Sequence, residues 1–188
     1  MSELSIEPGE VYSVQDKSGW GAGPWQEEPD KVVWVDATTD LDCMIVRHPH
    51  LGHWCGYVGV APEHPWHGIS YDGCLEDRSC TDQWECEHTS PERNVRVHGG
   101  VTFAGGCRDD EDPATSICHV PQPGRPTDVW WFGFDCAHAG DLAPKVAATM
   151  GYPPFPDERY RTQAYVVGET ERLAKQLADV TSGNGGFS

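Results

Sequence analysis

Apolar residues occur in short blocks through most of the chain and in a helical pattern only near its end. β-Branched and aromatic residues, which favour strands, are concentrated in Lys31–Asp36, Leu41–Arg47, His53–Val60, Asn94–Phe103 and Val129–Asp135. In 157–179, apolar residues recur every three or four positions between charged ones, which is typical of an amphipathic helix. The pattern predicts an α+β fold: a small, mostly antiparallel sheet of about five strands, with one C-terminal helix packed on it.

The segments between these blocks are rich in turn-forming residues. The chain has 188 residues, of which 21 are Gly and 15 are Pro, so long Gly-, Pro- and Cys-rich loops are expected. We predict an irregular N-terminal arm over 1–30, a single α+β domain over 31–180 and a flexible tail over 181–188. Two stretches poor in aliphatic residues, 72–92 and 105–127, are predicted to be loop insertions in that domain.

Charge and hydropathy narrow the possible partners. The formal net charge is −17, which would repel a phosphate backbone, so we expect no nucleic-acid partner. No apolar run approaches the roughly 18 residues that cross a bilayer, so we expect no membrane partner. The N-terminus has neither a basic region nor an apolar one typical of a secretion signal, which predicts a cytoplasmic protein. The oligomeric state is not indicated by the sequence.

The stretch VWWFGFDCAHAGD begins as a buried strand and ends in reactive groups. Asp135, Cys136, His138 and Asp141 follow one another within seven residues. His98 precedes a Gly-Gly pair, where a ligand can approach the backbone closely. If the strands that carry these two segments are neighbours, His98, Asp135, His138 and Asp141 converge on one candidate catalytic site.

Two carboxylates and two imidazoles suit a divalent metal such as zinc or manganese. A metal-bound water could then be activated for hydrolysis. Without a metal, His98 or His138 could act as a base that an aspartate orients. The competing interpretation is that Asp135 and Asp141 only cap turns, as aspartate often does.

A second group of residues could bind a ligand at the rim of this site. Tyr57 lies on a predicted strand, and His64, Trp66 and His67 lie in the loop that follows it, stiffened by prolines. Trp66 could stack on a ring of the ligand. Alternatively, this is a surface loop whose tryptophan covers the core.

The chain contains eight cysteines without a recognisable secretion signal, which favours reduced thiols or metal ligands over a disulfide framework. Cys74, Cys80, Cys86 and His88 have the ligand number of a structural zinc site, although their spacing is wider than the usual one. Cys107, Cys118 and His119 could supply alternative ligands for such a zinc site. One or two disulfide bonds, or free thiols, remain the other possibilities for the cysteines.

Cys55, His98 and Asp135 stand in a plausible order for a cysteine hydrolase. Reactive cysteines usually lie at a helix N-terminus, however, and Cys55 lies on a predicted strand. A buried, unreactive thiol is therefore the favoured interpretation.

The pieces GHWCGYVGVAPEHPWHG, VHGGVTF, VWWFGFDCAHAGD and YRTQAYVVGETERLAKQLA resemble an uncharacterised family found in bacteriophages, prophages, and actinobacterial or firmicute genomes. The resemblance covers about residues 31–178 apart from the two loop insertions. It implies a bacterial or phage cytoplasmic setting and carries no established activity. Relatives often have threonine at the position of Cys136, which favours Asp135, His138 and Asp141 as the site residues.

Together these features suggest a protein with a small-molecule pocket. The leading hypothesis is a hydrolase of a phosphate- or nucleotide-containing small molecule that uses the His/Asp cluster, with or without a divalent metal. The alternative is a phage protein without catalytic activity, which sequesters a host signalling nucleotide or blocks a host protein.

Overall fold

The computed structural model describes residues 6–76, 89–107, 112–151 and 155–182. Their strands form one antiparallel sheet in the order β1-β2-β3-β4-β6-β5. The strands are β1 (Glu10–Tyr12), β2 (Lys31–Val35), β3 (Asp42–Arg47), β4 (Trp54–Val60), β5 (Phe103–Gly106) and β6 (Trp130–Asp135). The α-helices are α1 (Pro91–Asn94), α2 (Pro144–Met150) and α3 (Gln163–Thr181). The predicted α+β class is confirmed, with six strands where about five were expected.

Alternation along the strands gives the sheet two buried faces. Phe132 and Phe134 of β6 point to the helix face, where they share a core with α3 residues such as Leu173. Trp131 points to the opposite, loop face, where it packs with Met44 of β3. Because β3 is buried along its whole length, its side chains contribute to both cores.

Helix α3 begins later than its sequence pattern predicts. Thr162 caps it, since the Thr162 hydroxyl accepts a hydrogen bond from the backbone N–H of Tyr165. The segment 155–162 is not helical. It begins with a turn at residues 156 and 157, after which Arg159 forms a bridge with Asp141 and the hydroxyl of Tyr160 donates to Glu28. The tertiary contacts of these residues outweigh their helical spacing.

The N-terminal segment, expected to be irregular, contributes β1 and is held against the body by a buried arginine. Arg47 is 1% exposed. Its guanidinium pairs with Glu28 at 3.0 Å and with Asp30 at 3.2 Å. Its Nη1 also donates to the hydroxyl of Tyr160 just before α3. Because a buried guanidinium is tolerated only when it is paired, the N-terminal segment is part of the folded structure.

The loop face is covered by residues 112–128, which we call the covering loop. The Cys107–Cys118 disulfide ties this loop to the end of β5, so these two cysteines pair with each other. Lys31 of β2 is fully buried, and its ammonium group donates to the carbonyls of Pro113 at 2.5 Å, of Ser116 at 2.9 Å and of Cys118. The ammonium thus replaces the water that these carbonyls would otherwise bind.

The predicted strand over Asn94–Phe103 is wrong. Residue 94 ends α1, and the strand begins only at Phe103 and continues into the predicted loop insertion. The backbone N–H of Arg96 donates to Gln176 and that of His98 to Glu169, so these groups bond to side chains of α3 instead of a neighbouring strand. The two following glycines have positive φ, which ends the extended segment before β5.

Only one of the four ligands predicted for a structural zinc site lies among the described residues. Cys80, Cys86 and His88 lie outside the described residues, and Cys74 is half-buried. The structural zinc site therefore stays a prediction. Among the described helices, none is both long and apolar enough to cross a membrane.

Replacing Lys31 with methionine should remove the donor for three carbonyls under the covering loop. We expect Lys31→Met to lower the free energy of unfolding by about 2–4 kcal/mol in urea denaturation, because buried carbonyls would lose their partner. The control is Lys175→Met on α3, whose side chain is 70% exposed and pairs only with Asp179 at 3.5 Å. This control should change stability by less than about 0.5 kcal/mol. Equal effects would contradict the anchoring role of Lys31.

Candidate metal centre

Three separate segments bring the predicted site residues together. His98 lies in the turn before β5, His138 and Asp141 lie in the loop after β6, and Arg161 lies just before α3. Residues 102 and 133 share a backbone hydrogen bond of 2.9 Å, which places the His98 turn beside the end of β6. The convergence expected from the sequence is confirmed for His98, His138 and Asp141, whereas the fourth expected residue, Asp135, is not part of this group. His98 reaches the site from a turn and not from a strand.

Asp141 is the centre of the cluster, with a side chain only 1% exposed. Its Oδ2 lies 2.7 Å from His98 Nε2 and accepts from the backbone N–H of His138 at 3.0 Å. Its Oδ1 accepts from Arg161 Nε at 2.7 Å. Burial alone would raise the pKa of Asp141, but the hydrogen bonds from Arg161 and His98 outweigh it and lower this pKa below its ordinary value. Asp141 is therefore a carboxylate at neutral pH.

The orientation of His98 is set on both sides of its ring. Because Asp141 is a carboxylate, His98 Nε2 carries the proton of their hydrogen bond, and Nδ1 accepts from the Tyr165 hydroxyl at 3.0 Å. The Tyr165 and His98 rings are also in edge contact, with centroids 5.6 Å apart. The backbone N–H of His98 donates to the Glu169 carboxylate at 2.7 Å, which fixes the main chain of the same turn.

His138 is held in place but keeps an unused ring nitrogen. Its Nδ1 lies 3.8 Å from Asp141 Oδ2 and 3.8 Å from Asp135 Oδ1, beyond hydrogen-bonding distance from both. This nitrogen is buried and has no hydrogen-bond partner among the described residues, although the side chain as a whole is 35% exposed. An orphaned buried nitrogen that faces two carboxylates indicates room for a cation.

His98, His138 and Asp141 have the ligand number of a catalytic metal site. Each offers one ligand atom, and the three atoms lie within 4.8 Å of one another. A tetrahedral zinc ion with bonds of about 2.0–2.2 Å holds its ligand atoms about 3.4 Å apart. The observed separations of 2.7 Å and 3.8 Å from Asp141 Oδ2 lie on either side of this value, so small side-chain movements would complete the site.

Asp135 lies beside this triad and not within it. Its Oδ2 accepts from the Thr102 hydroxyl at 3.1 Å, and its Oδ1 accepts from the backbone N–H of Ala137 at 3.0 Å. The carboxylate is 32% exposed and lines a groove of about 370 Å³ on the loop face. His48, His53, Tyr57 and Phe103 contribute to the same groove.

Of the four residues predicted to form the rim of the site, only Tyr57 lies near it. Tyr57 lines the groove next to Asp135, as expected. His64 is buried and its ring bonds to the carbonyl of Leu177 at 3.0 Å, while Trp66 packs against Phe132. From Tyr165 to Leu177 along α3 is about 18 Å, so this loop lies toward the other end of the helix. His67 lies with it, near Trp130, and the structure does not bring these three residues to the cluster.

The two cysteines nearest the site are unsuited to catalysis. Cys55 lies on β4, and burial raises the pKa of its thiol to about 12. Burial also raises the pKa of the Cys136 thiol well above its ordinary value. Because the thiolate is the nucleophile, the cysteine-hydrolase hypothesis is contradicted, and the exclusion of Cys136 is supported.

Two residues of the cluster were missed by the sequence analysis. Arg161 and Tyr165 flank the start of α3 four positions apart, and the Arg161 guanidinium lies 5.1 Å from the Tyr165 ring centroid. Both occur in the motif YRTQAY, which was assigned only to a helix. A polar pair on the first turn of an otherwise apolar helix face was the available signal.

Comparison with known proteins gives no match for this chain among protein-family models, curated proteins or solved structures. The resemblance to the phage-associated family stays a prediction. The site must therefore be interpreted from its own geometry.

Gly99 should be required for the position of His138. A Cβ at Gly99 would lie 2.0 Å from His138 Cε1, whereas one at Gly100 would meet open space. Both glycines have positive φ, so alanine at either should cost about 1–2 kcal/mol of stability through backbone strain. Gly99→Ala should cost at least about 1 kcal/mol more than Gly100→Ala and should shift the His138 ring resonances. Identical spectra and stabilities would contradict the close packing.

His53 should make the protein less stable in mild acid. Burial, together with the neighbouring His48, lowers the pKa of His53 from 6.5 to about 4. As the pH falls through this window the unfolded chain takes up the proton first, so stability is lost between about pH 6.5 and pH 4. Measured by urea unfolding, the stability of wild type relative to His53→Phe should decline over this range. The variant His50→Ala, which removes an exposed histidine, should lose as much stability as wild type over this pH range. If His53→Phe also lost as much stability as wild type, His53 would not be the group responsible.

Proposed function

We propose that the protein binds a divalent metal ion, with zinc as the best fit, through His98, His138 and Asp141. The observation that carries the proposal is the convergence of these three ligand atoms within 4.8 Å. Two imidazoles and one carboxylate form a common catalytic zinc set, which leaves a coordination position for water. Manganese and iron accept the same donors.

The surroundings of the triad support this assignment. Metal-ligating histidines usually donate a hydrogen bond from the other ring nitrogen. If an ion took the place of the proton on His98 Nε2, Nδ1 would carry the ring proton and donate it to the Tyr165 oxygen, which lies 3.0 Å away. Arg161 holds Asp141 Oδ1, which leaves Oδ2 directed toward the two histidines. The unpartnered Nδ1 of His138 would gain a partner when the ion binds.

We propose further that the centre hydrolyses a phosphate ester in a small molecule. A bound zinc ion supplies a water whose pKa falls to about 7, so hydroxide is available at neutral pH. Arg161 uses only Nε for Asp141, and its terminal nitrogens make no hydrogen bond within the described part of the chain. The side chain is 31% exposed, so this planar group is suited to binding phosphate oxygens beside the metal.

The biological setting of this activity is also a proposal. The phage-associated resemblance points to the cytoplasm of a bacterial host and to a small phosphorylated molecule as substrate. A protein that sequesters this molecule without cleaving it would use the same residues. Hydrolysis and sequestration are distinguished by whether the protein releases a cleaved product.

Metal binding is tested by titrating chelator-treated protein with Zn²⁺ and by the absorption spectrum of the Co²⁺ form. His138→Phe removes a ligand without removing a side-chain hydrogen bond, so it should fold normally and bind at least about 100-fold more weakly. His50→Ala, which removes an exposed histidine, should bind like wild type. The Co²⁺ spectrum should lack a thiolate charge-transfer band, which separates this centre from any cysteine site. Equal binding by His138→Phe and wild type would overturn the metal centre.

Hydrolysis is tested with bis(4-nitrophenyl) phosphate, and with 4-nitrophenyl acetate as a neutral ester for comparison. We expect metal-dependent release of nitrophenolate from the phosphate diester, reduced at least about 100-fold in His138→Phe and unchanged in His50→Ala. Metal binding without turnover would overturn the hydrolase and support sequestration. Because the acetate also hydrolyses far more readily without a catalyst, the two esters are compared as rate accelerations over their uncatalysed reactions, and a larger acceleration for the acetate would contradict a phosphate substrate.

A further inference from the structure

We infer that the groove beside Asp135 binds an amino-substituted planar nitrogen heterocycle, such as the ring of adenine or cytosine. This inference rests on the proposed function, because it assigns to the groove the part of the substrate that the metal centre does not contact. Four kinds of observation support it: the size of the groove, its aromatic walls, two histidine rings with nitrogen atoms that make no hydrogen bond within the described residues, and a partly exposed carboxylate.

The groove has the dimensions and walls of a small-molecule site. Its volume is about 370 Å³, and a neighbouring groove of about 480 Å³ shares His48, Cys55, Tyr57 and Phe103 with it. Ligand sites commonly measure about 300–1,000 Å³ and are mostly apolar and aromatic. Tyr57 and Phe103 pack edge to face at 5.6 Å, and Leu51 adds an apolar residue to the lining. Flat walls of this kind favour a planar ligand.

His53 contributes hydrogen-bonding capacity that the described structure does not use. Its side chain lines the groove and is only 3% exposed, yet Nδ1 is buried without a partner, and neither ring nitrogen has a hydrogen bond in the described residues. A buried polar group without a partner costs stability. Burial lowers its pKa to about 4, so the ring is neutral at pH 7 and offers one donor and one acceptor.

His48 supplies a donor of known direction. Its Nδ1 accepts from the backbone N–H groups of His50 and Leu51, both at 3.2 Å, so the proton of the neutral ring lies on Nε2. The His48 ring stacks on His53 with centroids 5.0 Å apart. The two rings therefore form one wall of the groove that carries an N–H donor.

Asp135 supplies the complementary acceptor. Each of its oxygens accepts one hydrogen bond within the protein and keeps a further lone pair, and the carboxylate is 32% exposed. The Asp135 carboxylate can accept a hydrogen bond from an exocyclic amino group of a ligand. The imidazole N–H of His48 can donate to a ring nitrogen next to that amino group. Adenine and cytosine both present this pair, whereas uracil presents carbonyl oxygens around an N–H.

The position of the groove agrees with the proposed hydrolysis. Asp135 Oδ1 lies 3.8 Å from His138 Nδ1, so the groove and the metal centre meet at this carboxylate. A heterocycle bound in the groove would direct an attached phosphorylated group toward the metal and Arg161. The substrate class inferred for the whole site is therefore an aminoheterocycle that carries a phosphate ester.

The test uses uncharged nucleosides and chelator-treated full-length protein, so that binding reports the groove without the metal. In calorimetric or NMR titrations we expect adenosine and cytidine to bind saturably. Uridine and N6,N6-dimethyladenosine, which lack the amino donor, should bind about tenfold more weakly or worse. Equal binding of adenosine and its dimethyl derivative, or no binding of adenosine, would overturn the inference.

Two variants separate the groove from the metal centre. His53→Phe keeps an aromatic ring in the wall and removes no protein hydrogen bond, so it should retain its thermal stability and bind adenosine about tenfold more weakly. Asp135→Asn provides a second variant, with the same expected loss. His138→Phe should bind adenosine within about twofold of wild type while losing zinc. Adenosine binding without a zinc site would overturn only the proposed function, and a zinc site without amino selectivity would overturn only this inference.

Discussion

The buried carboxylate of Asp141 is the interaction on which the arrangement of the site depends. A carboxylate that is 1% exposed must be paired, and its partners come from its own loop and from two segments that are remote in sequence. Arg161 binds one oxygen, while His98 and the backbone of His138 bind the other. This ionised group therefore joins the three segments, and the bonds of the 96–98 backbone to Glu169 and Gln176 add to its effect. The same group has the charge needed to bind a cation, so one residue serves both the fold and the proposed chemistry.

Two of the buried cations, Arg47 and Lys31, are surrounded by acidic or carbonyl oxygens. Arg47 joins the N-terminal segment, β3 and the start of α3, and Lys31 holds the covering loop through three carbonyls. Both side chains are at most 1% exposed. These contacts specify how loops pack on the two faces of the sheet, since long Gly- and Pro-rich segments bury little apolar surface of their own. The rigid sheet that results holds β6, and with it Asp135, in place.

The sequence predicted the parts of the fold that depend on local pattern. Alternating apolar residues identified β2, β3, β4 and β6, and the clustering of Asp135, His138 and Asp141 after β6 identified most of the site. The prediction failed where tertiary contacts decide conformation. The 95–98 segment bonds to side chains of α3, which no local pattern encodes. Arg161 was missed because its partner, Asp141, is 20 residues earlier, and Tyr165 because its partner, His98, is 67 residues earlier. His64 was misplaced because its partner, Leu177, is 113 residues away.

Unsatisfied polar atoms are the strongest indication that this cluster has a purpose beyond stability. A network evolved only to hold three segments together would pair its buried nitrogens, as Asp141 and Arg47 show elsewhere in the same molecule. Within the described residues, the Nδ1 atoms of His138 and His53 are instead buried without partners, and they lie at two adjoining spaces, the metal triad and the groove. Asp135 lies between these spaces, with a partly exposed carboxylate. Under the functions proposed above, a bound metal or ligand would pair these groups and recover the stability that they forgo.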